Sequence, residues 1–153
     1  MDGNQVWSPD QQSSEIKPLT TTWIFKKKTD EDGNLSKFKA VLCVRGFNQK
    51  EGVDYVNVFS PTGQLLSVQL LLTLCSKKNF IIEQMDVKCA FLNGIPDKEL
   101  YSYQPDGYHH HKVNNICKLE KSLYGLNQSP HFWHKALKEA LQSIGLSPCQ
   151  TDP

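Results

Sequence analysis

Residues 84 to 94 read Gln84-Met85-Asp86-Val87-Lys88-Cys89-Ala90-Phe91-Leu92-Asn93-Gly94. The aspartate follows a short apolar run, Phe80, Ile81 and Ile82, and precedes Phe91 by five residues and the turn residue Gly94 by eight. This composition predicts a strand from Phe80 to Val87. A buried strand that delivers a carboxylate at its C-terminal end is one way to hold a divalent metal for phosphoryl transfer. An aspartate at a strand end serves more often as a turn or cap residue, so the weight of the metal reading comes from the rest of the chain.

Upstream, Ser60-Pro61-Thr62 signals an N-cap for a helix running to about Lys78. Leu65, Leu66, Leu70, Leu74 and Cys75 fall near helical spacing, with Lys77 and Lys78 in the last turn. Further back, Thr21 to Lys28 and Leu35 to Phe47 alternate as two strands around the turn Asp30-Glu31-Asp32-Gly33-Asn34. The hairpin they make has a basic polar face. Residues 1–20 are polar and read as a flexible lead-in, with Val6 and Trp7 the residues able to dock.

Downstream, Asn93-Gly94 is a tight turn, and Leu100–Tyr103 and Ile116–Leu119 are short strands flanking a loop from Pro105 to Asn115. The clearest helix is the last. Ser129 is a good N-cap, Pro130 fits the first helical position, and Phe132, Trp133, Ala136, Leu137, Ala140, Leu141 and Ile144 form an apolar face that must pack on a sheet. Gly145 then suits the C′ position. The fold class is α/β, more strictly α+β.

At 153 residues, with 39% hydrophobic and 22% charged residues, the chain suits one soluble domain. Its longest apolar cluster, Leu65 to Cys75, is broken by Ser67, Gln69 and Thr73, so no membrane span is expected. No basic start followed by an apolar core marks a secretory signal, and five scattered cysteines without a CxxC pair read as reduced, mostly buried thiols. An intracellular chain is the expectation. The cluster His109 to His111 reads as a solvated loop, because three consecutive histidines cannot all face one ion from a strand or helix.

Net charge is +1, but residues 17–50 hold eight basic side chains against three acidic ones, and 51–153 hold nine against ten. A basic lobe on a near-neutral body suits a polyanion; a solvated hairpin with wet lysines is the plainer reading of the same pattern.

Taken in order, these blocks resemble one family, the reverse transcriptase (RNA-directed DNA polymerase) domain of copia-type long-terminal-repeat retrotransposons. The matching residues are Trp23-Ile24-Phe25-Lys26, Asp32-Gly33, Phe38-Lys39-Ala40 with Leu42, and Arg45-Gly46-Phe47-Asn48-Gln49-Lys50-Glu51-Gly52-Val53-Asp54-Tyr55. They continue through Phe59-Ser60-Pro61, Met85 to Gly94, Tyr101 with Gln104-Pro105 and Gly107, and Lys121-Ser122-Leu123-Tyr124-Gly125-Leu126 with Gln128 and Pro130. Coverage runs from about residue 20 to 153.

The resemblance implies an incomplete right-hand polymerase fold, with a fingers hairpin over about 21–60 and the first part of a palm over about 61–153. It implies two-metal nucleotidyl transfer in an intact parent, with Mg as cofactor and an RNA template, a DNA primer and deoxynucleoside triphosphates as partners. Asp86 would be the first catalytic metal ligand, and the carbonyl of Val87 would also face a metal. Phe91 would pack beneath the incoming sugar and exclude a 2′-OH, and Tyr124 and Gly125 would pack against the nascent base pair. Lys39 would reach the triphosphate, and Lys26 and Arg45 would meet phosphate or template.

The sequence also departs from the family pattern. The family's second carboxylate pair lies in a Tyr-Val-Asp-Asp hairpin, and no adjacent Asp-Asp pair occurs here. Val41 stands where the family has a basic residue, Gln64 and Gln69 where lysine and arginine are common, and His131 where arginine is usual. The expectation is a reverse-transcriptase fragment inactive by itself; the alternative is a non-catalytic nucleic-acid-binding remnant.

Overall fold

The computed structural model describes residues 5–108 and 116–149, so His109 to His111 lie outside the described residues. Its order is β1 (Trp7–Asp10), β2 (Thr21–Thr29), β3 (Leu35–Val44), α1 (Leu65–Lys77), β4 (Tyr101–Tyr103), β5 (Ile116–Leu119) and α2 (Ser129–Ser143). The mixture is α+β, as expected, and no described helix is long and apolar enough to cross a membrane.

Strands β2 and β3 pair antiparallel with Trp23 opposite Leu42, Phe25 opposite Ala40, Lys26 opposite Lys39, and Lys28 opposite Lys37. The Asp30 carboxylate closes the turn by accepting the Asn34 backbone N–H at 2.8 Å, and Gly33 supplies the positive φ of +82° that the reversal needs. Side chains alternate between faces, so Lys26, Lys28, Lys37 and Lys39 share one face and Trp23, Phe25, Phe38 and Ala40 the other.

The second sheet has the order β1-β5-β4, antiparallel throughout. Leu19 extends it: its N–H donates to Tyr101 O at 2.7 Å and its carbonyl accepts the Tyr103 N–H at 2.9 Å. Val6, Leu19, Val44, Leu100, Leu119, Leu123 and Leu126 form the core, with Trp7 and Leu92 packed on it. Part of the expected flexible lead-in is therefore structural. The Val6 carbonyl accepts the Glu120 and Lys121 N–H groups, and Trp7–Asp10 forms the sheet's edge strand. Two apolar side chains in a polar run were enough to dock it.

The expected strand from Phe80 to Val87 is not formed. The segment pairs with no strand among the described residues, and Ile81 and Met85 are 91% and 89% exposed. An extended segment becomes a strand only when a partner takes its N–H and C=O groups. Helix α1 begins at Leu65, later than the Ser60-Pro61-Thr62 signal, and buries no residue. Strand β3 stops at Val44, three residues before Phe47, because Gly46–Asn48 turns as a short 3-10 helix.

Helix α2 includes Ser129, whose hydroxyl does not cap it but donates to Leu123 O at 2.5 Å and meets the Ser122 hydroxyl at 2.6 Å. Its N-terminal half packs on the 3-10 turn Ala90–Asn93 rather than on a sheet: a Cβ at Gly94 would lie 2.7 Å from Phe132 Cβ. Leu141 and Ile144 stay exposed. Gly145 ends the helix with φ +87°, as its C′ placement predicts. No disulfide joins the cysteines, and of the five only Cys117 is buried, while Cys89 and Cys149 are exposed. The expectation of mostly buried thiols is thus corrected.

Candidate functional site

The loop between β5 and α2 is stitched to the end of β3. The Val44 N–H donates to Tyr124 O at 2.7 Å, and Gly125 (φ +90°) lies so close that a Cβ there would stand 2.0 Å from Val44 O. A Cβ on Gly46 would stand 2.0 Å from Gly125 O. Buried amides complete the seam. Gln49 accepts the Asn127 backbone N–H at 2.9 Å and donates from Nε2 to Gln128 Oε1 at 3.0 Å, while Asn127 Nδ2 donates to Gly46 O at 3.1 Å.

This seam presents Tyr124 to the 3-10 turn that carries Phe91. The two rings meet with centroids 5.0 Å apart, tilted by 59°. The turn is held by Ser122, whose N–H donates to Gly94 O at 2.8 Å, and is entered through Cys89 in the left-handed region at φ 53°, uncommon for a residue with a Cβ. Asp86 lies just ahead, exposed at the end of the unpaired segment.

The Tyr124 hydroxyl registers this neighbourhood. Burial pushes its pKa above the ordinary phenol value, and the negative charges of Cys89, Asp86 and Cys43 add to the rise. Because the folded value lies above the unfolded one, this contribution to stability is complete below about pH 10 and is lost as pH rises through the folded value. A Tyr124→Phe variant should therefore lose a phenolate absorbance step that lies above 10 in alkaline titration of the folded chain. Loss of an ordinary step instead would show that Tyr124 is solvated.

Phe91, Tyr124 and Gly125 are thus brought together, and Asp86 stands exposed four residues ahead of the turn that carries Phe91. Lys26 and Lys39 are not among them: they face each other across the hairpin, on the face that carries Cys43. Four residues of strand separate Lys39 from Cys43, about 13 Å. Arg45 is exposed immediately after β3, its backbone N–H donating to Thr20 O at 2.9 Å. Val87 follows Asp86 and is half-exposed.

For a divalent metal, the donor set is incomplete. Among the described residues no group of three or more His, Cys, Asp or Glu side chains is placed to hold an ion. One exposed carboxylate does not make a two-metal centre. Residues that sequence patterning did not single out individually include Gln49, Asn127 and Gln128, which hold the loop, and Cys89, which shapes the approach to Phe91. Buried amides and a left-handed cysteine leave no trace in hydrophobic periodicity.

Residues 4–152 match the family described as Reverse transcriptase (RNA-dependent DNA polymerase). The Retrovirus-related Pol polyprotein from transposon TNT 1-94 of Nicotiana tabacum is 40% identical over 138 residues, covering 90% of this chain. The transposon RE1 polyprotein of Arabidopsis thaliana is 37% identical over 145 residues, covering 94% of this chain. The yeast Ty1-DR4 Gag-Pol polyprotein is 30% identical over 148 residues, covering 93% of this chain and 9% of that protein. The chain spans 10% of the length of the tobacco and Arabidopsis relatives. No solved structure matches it. The chain belongs to the reverse transcriptase (RNA-dependent DNA polymerase) family, as a segment of the kind found in copia-type retrotransposon Pol polyproteins.

Proposed function

We propose that this chain is the fingers and the first part of the palm of an RNA-directed DNA polymerase, divided near residue 60. Asp86 contributes one carboxylate, and the Val87 carbonyl one oxygen, to a divalent-metal centre, Mg in the family, that other carboxylates must complete. The observation that carries the reading is the contact between the Phe91 and Tyr124 rings, on a turn that begins four residues after Asp86. An aromatic floor next to a carboxylate suits a deoxynucleotide, whose sugar lies on the ring while its phosphates reach the metal. Phe91 would crowd a 2′-hydroxyl on that sugar. The metal supplies charge neutralisation of the transferred phosphate when bound.

The lysine face bears on the triphosphate and on nucleic acid. Lys26 opposite Lys39 and Lys28 opposite Lys37 set like charges directly across a strand pair, an arrangement that costs stability in the free chain and is relieved by an anion. The same face supports the second reading, nucleic-acid binding without catalysis.

Substitution of residues 4–152 for the matched segment of the tobacco relative tests the polymerase reading. Primer extension on an RNA template with magnesium should survive in the chimera and be abolished by Asp86→Asn. The isolated chain should extend nothing, because no group of carboxylates that could complete a metal site accompanies Asp86 among the described residues. A chimera that folds but cannot extend a primer, or one indifferent to Asp86→Asn, would refute the assignment.

A further inference from the structure

Between the hairpin and the Phe91 turn the chain makes an excursion. Residues 57–64 belong to no helix or strand, α1 follows, and from Thr62 to Cys89 every residue except Ser67 and Cys75 is exposed. Asp86 rides on this excursion. Its position depends on how the two stems are held, the outgoing one at Phe59 and the returning one at the Ala90–Asn93 turn. Two consecutive residues of α2 hold them. His131 Nδ1 lies 3.0 Å from the Phe59 carbonyl. A carbonyl only accepts, so Nδ1 carries the proton and donates. Phe132, which is buried, backs the returning stem at Gly94, where even a Cβ finds no room. The His131 and Phe132 rings themselves meet edge to face, with centroids 6.1 Å apart and planes at 63°.

The helix end that supplies this pair is anchored in turn. Ser129 donates to Leu123 O, and Gln128 Nε2 donates to Asp54 O at 3.4 Å. The first turn of α2 is thus tied to the Tyr124 loop and to the chain just ahead of Phe59. Val56 and Phe59 are exposed, so apolar packing does not secure the outgoing stem, and the polar contact must. We infer that His131 is a positioning residue: with Phe132 it clasps the two stems of the excursion and so sets where Asp86 lies relative to Phe91 and Tyr124. The consequence for catalysis rests on the polymerase reading above; the clasp itself does not.

Chymotrypsin treatment of the 153-residue chain tests the clasp, with cleavage after Phe59 (78% exposed) measured against cleavage after Phe47 (81% exposed). His131→Leu removes the donor and keeps the bulk; His131→Asn returns a donor near the place of Nδ1. The leucine variant should be cut after Phe59 about two- to tenfold faster, the worth of one hydrogen bond, with cleavage after Phe47 unchanged. The asparagine variant should be cut as the parent chain is. In the chimera with the tobacco relative, His131→Leu should lower kcat by a similar factor and leave the deoxynucleotide KM unchanged, because Asp86 shifts while Phe91 and Tyr124 stay. Unchanged cleavage after Phe59, faster cleavage after both phenylalanines, or no rescue by asparagine would overturn the clasp. A raised KM with kcat unchanged would overturn the placing of Asp86. A chimera with no activity before any change at His131 counts against the polymerase reading instead, and the cleavage pattern then decides the clasp.

Discussion

Gly125→Ala is expected to remove most of the chain's stability. The added Cβ would stand 2.0 Å from Val44 O and about 3 Å from the Val44 carbonyl carbon and nitrogen, all backbone atoms that cannot swing aside. Separation would break the 2.7 Å hydrogen bond from Val44 N–H to Tyr124 O, beside a residue only 3% exposed. Alanine at φ +90° adds about 1–2 kcal/mol of backbone strain, overpacking about 1–3, and an orphaned buried group about 1–3. Even the low end of that sum is a large fraction of the about 5–15 kcal/mol that holds an ordinary domain together. Gly46→Ala meets Gly125 O at the same 2.0 Å without a positive φ, and should rank second. Gly52 has φ +80° but open space around its missing Cβ, so Gly52→Ala isolates the strain alone. Urea unfolding followed by tryptophan fluorescence gives the ranking. A Gly125→Ala midpoint no lower than that of Gly52→Ala would show that the seam is loose.

Gln49→Leu is expected to be nearly as damaging, and Gln128→Leu close behind. The two side chains are 8% and 2% exposed and bond each other at 3.0 Å. Removing Gln128 strands the Gln49 Nε2 donor; removing Gln49 strands Gln128 Oε1 and the Asn127 backbone N–H together. Each stranded group costs about 1–3 kcal/mol, and leucine cannot hydrate it. In the double variant the two orphans vanish as a pair, so its loss should fall short of the sum of the singles, by about 1 kcal/mol or more. Strict additivity in this double-mutant cycle would mean that water, not the partner amide, satisfies each side chain. Loosening the loop also frees Tyr124, so the late phenolate step should move down toward its ordinary value in either single variant. That spectroscopic shift separates loss of loop position from a general loss of stability.

The hairpin was legible in advance because Trp23 and Phe25, and Phe38, Ala40 and Leu42, recur at every second position with lysines between them toward the turn, and a period of two admits one folding of that stretch into faces. Helix α2 was legible for a similar reason, its apolar residues repeating at helical spacing up to Gly145. The segment 80–87 departs from that rule. Its residues favour a strand, but a strand is a relation between two segments, and none of the described residues offers the second. Helix α1 forms without a side-chain N-cap and with its leucines exposed, as local helix propensity allows.

The site divides along the same line. Of the residues singled out from motif order, Phe91, Tyr124 and Gly125 meet in the structure, Asp86 stands exposed ahead of their turn, and Lys26 and Lys39 stand apart on the hairpin. The sequence alone determined which residue types could carry the chemistry, because carboxylate, aromatic ring and lysine are properties of single positions. It also determined the two-faced hairpin, because alternation is local. Only the tertiary structure decided that Gly46 and Gly125 sit back to back, that Gln49 locks onto Gln128 at a separation of 79 residues, and that Val6 belongs to the core. Those are pairings across distant parts of the chain. Their energies depend on burial and on the partner's orientation, and neither is encoded at any one position.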